Sequence, residues 1–97
     1  MRISLSGEAQ GDFDAAVDWY LEQLAFAAAD GFADEFEQAL TLLARFPDLG
    51  VHGRHKTRVF TLQKFPYSVI YRVFPEHLRV VAVAHHSRRP GYWAGRR

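Results

Sequence analysis

The first five residues set the hardest constraint on this chain. Met1, Ile3 and Leu5 alternate with Arg2 and Ser4, the period of two that marks a half-buried β-strand. A strand left alone has no partners for its backbone N–H and C=O groups, so it must pair with another. The next β-rich run begins only at Arg58. The N-terminal strand must therefore join a sheet built from the second half of the chain.

What lies between reads as helix. Ser6 is a plausible N-cap, and from about Gly7 to Ala28 the residues Ala9, Phe13, Ala16 or Val17, Tyr20 and Leu24 recur every three or four positions. Asp14, Asp18 and Glu22 fall on one outward stripe. Asp30-Gly31 marks a break, after which Phe32, Phe36, Ala39 or Leu40, Leu43 and Phe46 predict a second helix to about Arg45. Pro47 and Gly50 stop it. The segment from Pro47 to Lys56 reads as a loop by its Gly, Pro and charge content. Arg58–Leu62, Tyr67–Phe74 and Leu78–His86 read as strands, the last two joined through Pro75-Glu76-His77 as an antiparallel hairpin. Pro66 cannot donate to a ladder and belongs at the start of its strand, while Pro90 and Gly91 argue against a long C-terminal helix.

The expected fold is thus a single α+β domain over residues 1–97. Its order is β-α-α-β-β-β, a helical hairpin packed on one face of a four-stranded, mainly antiparallel sheet. Strict alternation would place Tyr67, Val69, Tyr71 and Val73 on one face of their strand and Ser68, Ile70, Arg72 and Phe74 on the other. In the last strand, Leu78, Val80, Ala82, Ala84 and His86 would oppose Arg79, Val81, Val83 and His85.

Ninety-seven residues suffice for one core. The chain has no cysteine, which removes disulfides and thiolate zinc sites. It has no apolar run near the roughly 20 residues of a membrane span and no signal-peptide pattern at its start, so a soluble cytoplasmic protein is expected. A net charge of +1 conceals a split. Residues 1–46 hold nine acids against Arg2 and Arg45, whereas residues 47–97 hold ten bases against Asp48 and Glu76, and all five histidines. Such a split either presents two faces to different partners or merely sets an acidic helix pair beside a basic sheet.

Few residues offer chemistry. Tyr67 and Tyr71 suit core or rim positions with tethered hydroxyls. His85 and His86 are adjacent in a strand and point to opposite faces, which disfavours a shared metal; His52-x-x-His55 has only Asp48 near it in sequence. No metal or cofactor is expected. A single histidine could act as acid or base. The tail Ser87-Arg88-Arg89-Pro90-Gly91-Tyr92-Trp93, with Arg96 and Arg97, mixes guanidinium groups and stackable rings, a composition that suits nucleic acid or an acidic protein surface. No Walker loop, G-x-S-x-G or H-E-x-x-H occurs.

The order of elements, the run Phe65-Pro66-Tyr67-Ser68-Val69-Ile70-Tyr71-Arg72-Val73, the strand end Val80-Val81-Ala82-Val83-Ala84-His85-His86 and the tail Arg88-Arg89-Pro90-Gly91-Tyr92-Trp93 resemble the RelE/ParE superfamily of bacterial type II toxin–antitoxin toxins. RelE-like members are ribosome-dependent mRNA endonucleases. They carry a Lys-x-Lys pair on the second strand, an arginine after the first tyrosine of the third, and an arginine and tyrosine near the C-terminus. Here the corresponding strand positions hold Val59, Thr61 and Ser68. The resemblance is closer to the ParE-like branch, whose members bind DNA gyrase without catalysis and arrest growth. It implies a cognate antitoxin as partner in a hetero-oligomer. Target contacts would come from Arg88, Arg89, Tyr92 and Trp93, and antitoxin contacts from Arg58, Lys64 and Arg72. The alternatives are an RNase using His85, His86 or Tyr92 on ribosome-bound mRNA, and a degenerate, non-toxic antitoxin-binding module.

Overall fold

The N-terminal strand finds its partner some seventy-five residues later in sequence. In the computed structural model, which describes residues 1–97, the elements run β1 (Arg2–Leu5), α1 (Gly7–Glu22), α2 (Phe26–Arg45), β2 (Val51–His52), β3 (Arg58–Thr61), β4 (Tyr67–Val73) and β5 (His77–His85). The sheet order is β1-β5-β4-β3-β2. The β1–β5 pair is parallel, with Leu5 opposite Val80, and every other pair is antiparallel. Both helices cover one face. No helix is long and apolar enough to cross a membrane.

Ser6 couples the first two elements. Its backbone N–H extends the β1–β5 ladder to the Val80 carbonyl at 3.0 Å, and its hydroxyl caps α1 by accepting the Ala9 N–H at 3.0 Å. Facing the sheet, Ala9, Ala16, Phe32, Phe36, Ala39 and Leu43 bury against Val69, Tyr71, Leu78, Val80 and Val83. Phe32 is the hub: its ring lies 5.5 Å from Phe13 and 4.9 Å from Tyr67.

The helix break differs from the expected one. α1 stops at Glu22 rather than near Ala28, because the Leu24 N–H bonds the Leu21 carbonyl and the Ala25 N–H reaches back to the Tyr20 carbonyl. That pair of bonds is a Schellman turn, with Leu24 in the left-handed position at φ 57°. A non-glycine residue there costs on the order of 1 kcal/mol. The alanine-rich stretch then propagates helix straight through Asp30-Gly31. Gly31 serves packing instead of breaking: a Cβ there would lie 3.2 Å from the Phe65 ring. Leu24 and Phe46, expected on the buried stripes, are 74% and 53% exposed, since each falls just past the end of its helix.

The sheet has five strands, not four. The segment expected as a loop contains β2, with Val51 opposite Val59 and His52 opposite Arg58. A tight turn closes it through Gly53 N–H to Thr57 O (2.8 Å) and Thr57 Oγ1 to Arg54 O (2.6 Å), with His55 and Lys56 both at positive φ. Two strand residues are too few to show an alternation.

A β-bulge breaks the alternation expected of β5. Ile70 faces Ala82 and Tyr71 faces Val80, leaving Val81 unpaired with β4. Leu78, Val80 and Val83 consequently all face the helices, while Val81, Ala82 and Ala84 share the opposite face with Ile70. The bulge also moves both histidines. His85 lies on the helix side, edge-on to Tyr67 at 5.0 Å, and His86 on the far side against Ser68.

Tyr71, fully buried, anchors the connector after α2: its hydroxyl donates to Pro47 O at 2.7 Å and accepts the Gly50 N–H at 2.9 Å. A Cβ at Gly50 would lie 2.6 Å from that oxygen, so the contact requires glycine. Tyr71→Phe removes the hydroxyl that accepts the buried Gly50 N–H. It should lower the unfolding free energy by about 1–3 kcal/mol, measured by urea denaturation with an unchanged m-value.

A candidate binding surface built by the C-terminal tail

β1 ends at Leu5, opposite Val80, yet β5 continues to His85. The outer edge of its last residues has no strand beside it. Side chains fill that gap. Asp12, on α1, accepts the Val83 N–H at 3.1 Å, and Arg96 donates to the Val81 carbonyl at 3.2 Å. The two side chains also pair with each other at 2.6 Å, with 13% and 18% of their surfaces exposed. Burial works against the Arg96 charge, but the bond and charge of Asp12 more than offset it and raise its pKa.

Around this pair the tail folds back onto the sheet face that the helices leave open. The Tyr92 hydroxyl donates to Asp12 at 3.3 Å, and the guanidinium carbons of Arg88 and Arg96 lie 4.0 and 5.0 Å from its ring centroid. Burial, and next the Asp12 charge, raise the Tyr92 pKa. Two more arginines hold the tail by its carbonyls: Arg72 donates to Arg96 O at 2.7 Å and Arg79 to Arg97 O at 3.0 Å.

The expected target-binding residues separate into two roles. Arg88 and Arg89 are exposed, and Tyr92 is half-buried beneath Arg88. Trp93, expected to offer a stackable ring, is instead packed into the cluster of Ile70, Val81, Ala82 and Ala84, because its large apolar surface covers the sheet's second face. It fastens the tail.

Of the residues of the nuclease alternative, His85 and His86 line one pocket together with Arg88, while Tyr92 is not part of its wall. The Tyr92 hydroxyl is committed to Asp12. The His85 Nδ1 accepts the Ser87 N–H at 3.0 Å, which puts the proton of the neutral ring on Nε2. His86 Nε2 lies 3.1 Å from Ser68 Oγ, itself 3.1 Å from Thr61 Oγ1. This hydroxyl–imidazole chain borders a shallow pocket of about 180 Å³ whose apolar wall includes Val59, Ile70 and Trp93. No three His, Asp or Glu side chains lie close enough to hold a metal ion.

Nor do the expected antitoxin contacts form one patch. Arg58 donates to the carbonyls of Asp48 and Gly50 and pairs with the Asp48 carboxylate at 3.5 Å, and Arg72 also reaches His55 O. Lys64 sits at the other end of β3, in the β3–β4 turn, where Glu35 accepts the Gln63 and Lys64 backbone N–H groups at 2.6 and 3.1 Å. Asp12 escaped notice in the sequence beside the louder stripe of Asp14, Asp18 and Glu22. Its signal was phase: Ala9, Asp12 and Ala16 fall on one helix face, and Ala9 and Ala16 are buried.

Asp12→Ala strands a partly buried guanidinium and frees an edge N–H, and should destabilise the chain by about 3 kcal/mol or more. Chemical denaturation followed by tryptophan fluorescence reads the loss.

Comparisons with known proteins agree with this architecture. The family model for the ParE toxin of type II toxin–antitoxin system, parDE, matches residues 3–90. A search of curated protein sequences gives no match. Among solved structures, a chain of the chromosomal ParDE TA system from P. aeruginosa superposes with a TM-score of 0.74 at 21% identity, covering 88% of this chain and 95% of that one. At that identity the likeness speaks for the fold. The family match runs from β1 through the start of the tail, and on that ground the chain belongs to the ParE toxin family of type II toxin–antitoxin systems.

Proposed function

We propose that this toxin arrests growth by binding DNA gyrase, without catalysis, and that a cognate antitoxin neutralises it in a cytoplasmic hetero-oligomer. One observation carries the choice of target within the superfamily. Where the nuclease branch needs bases on the second and third strands, this chain has Val59, Thr61 and Ser68; the pocket beside them holds His85, His86 and Arg88, with no base from those strands. Those strand positions therefore supply no base to position a ribose hydroxyl or to stabilise a charged transition state. Binding, by contrast, needs only a shaped and charged surface.

In this reading Arg88, Arg89 and Tyr92 contact the target, and Trp93 acts by holding the tail against the sheet. Arg88 and Arg89 suit the phosphates of the DNA that gyrase holds. Lys64 is exposed for an acidic antitoxin segment, while Arg58 and Arg72 shape the surface such a segment would meet.

The test is a gyrase supercoiling and cleaved-complex assay with the purified chain, alongside ribosome-dependent mRNA cleavage. Inhibition of supercoiling is expected, with graded losses for Arg88→Ala, Arg89→Ala and Tyr92→Ala of about 1–3 kcal/mol each in target affinity. Ribosome-dependent cleavage abolished by one change at His85, His86 or Tyr92 would replace this reading with the nuclease. Normal growth on induced expression would replace it with a non-toxic antitoxin-binding module.

A further inference from the structure

Nothing in the packing of the helical hairpin accounts for a leucine at position 24. The residue sits in the left-handed conformation that closes α1, where glycine is unstrained. The turn is made by backbone hydrogen bonds from Leu24 and Ala25, to which the leucine side chain adds nothing. That side chain is also 74% exposed. Backbone conformation and solvation thus both argue against leucine here.

Leu24 is not isolated. Trp19, Leu21 and Phe26, within the same eight residues at one end of the hairpin, are 55%, 41% and 59% exposed. Single exposed apolar residues are ordinary, but several large ones at one site mark a contact surface. Asp18, Glu22 and Asp30 flank them, all exposed, and no base of the chain pairs with any of them. Across the molecule this surface continues into the tail, for Trp19 and Arg88 line the same groove of about 200 Å³, between α1 and the end of β5.

We propose that the α1–α2 turn is a second gripping element of the toxin, whose occupant is a basic protein surface with an apolar pocket on the target. The inference rests on the gyrase reading. An enzyme that handles DNA presents basic surface to phosphate. Such a surface repels Arg88 and Arg89 but attracts the carboxylates around Leu24. Trp19, Leu24 and Phe26 supply apolar anchors of the kind that dominate interface energetics. The toxin then meets a protein–DNA complex with matched charges: the acidic turn on the protein, the basic tail on the DNA.

Leu24→Gly, Phe26→Gln and the double change Asp18→Asn with Glu22→Gln are compared with the wild-type chain. The readouts are melting temperature, binding to the antitoxin and binding to purified gyrase across a salt series. Leu24→Gly should melt at or above the wild-type temperature, retain the antitoxin and bind gyrase at least tenfold more weakly. Phe26→Gln should weaken gyrase binding alike, and the double change should flatten its salt dependence. Undiminished gyrase binding by Leu24→Gly and Phe26→Gln removes the turn from the target interface and leaves the gyrase reading standing. Loss of antitoxin binding by either variant assigns the turn to the antitoxin and overturns the inference. A wild-type chain that does not bind gyrase ends both.

Discussion

β5 outruns β1, and much of the molecule is organised by that mismatch. A buried strand edge cannot leave its N–H and C=O groups without partners. Asp12 and Arg96 supply them at Val83 and Val81, and by pairing with each other they avoid leaving a lone charge at the edge. The bulge at Val81 falls just beyond the last residue that β1 reaches. The same carboxylate receives Tyr92, so the edge, the bulge and the folded-back tail are parts of one arrangement. The second apolar face of the sheet exists because the tail returns to cover it with Trp93.

The elements carried by long periodic patterns were legible from sequence alone. The lone strand, the Ser6 cap, the buried stripe from Phe32 to Leu43 and the β4–β5 hairpin lie where periodicity put them. What escaped was local and backbone-driven. A strand of two residues has no period to detect. The bulge inserts one residue into a run of valines and alanines that looks equally apolar on both faces, so no side chain betrays the slip. Leu24 stands where composition would suggest glycine, and Asp30-Gly31, which looks like a break, is inside α2. At the tail, residue types alone treated Trp93 like Arg88 and Arg89, and only packing separates Trp93 beneath from the two arginines outside.

The charge split acquires a different meaning in three dimensions. Many of the bases in the second half are structural ties: Arg58, Arg72 and Arg79 hold backbone carbonyls, and Arg96 holds Asp12. Guanidinium suits this work, since it stays charged and offers several donors in one plane. The acids of the helical hairpin are mostly free of such duties: Asp12 and Glu35 hold distant backbone, and Asp14 accepts only from Gln10 on its own helix. Counting charges along the chain therefore overstates the basic surface far more than the acidic one.

The long reach of the first strand also dictates when this protein can become itself. β1 waits for His77–Val80, and Asp12 waits for Arg96, so the first member of each pair is made long before its partner. While the chain is still emerging from the ribosome, at roughly 5–20 residues per second, α1 and α2 have no sheet to lie on. Contacts of such sequence separation also form slowly once they can form at all. The candidate binding surface therefore takes shape only once β5 and the tail have met β1 and α1, and no earlier subset of the elements can form it alone.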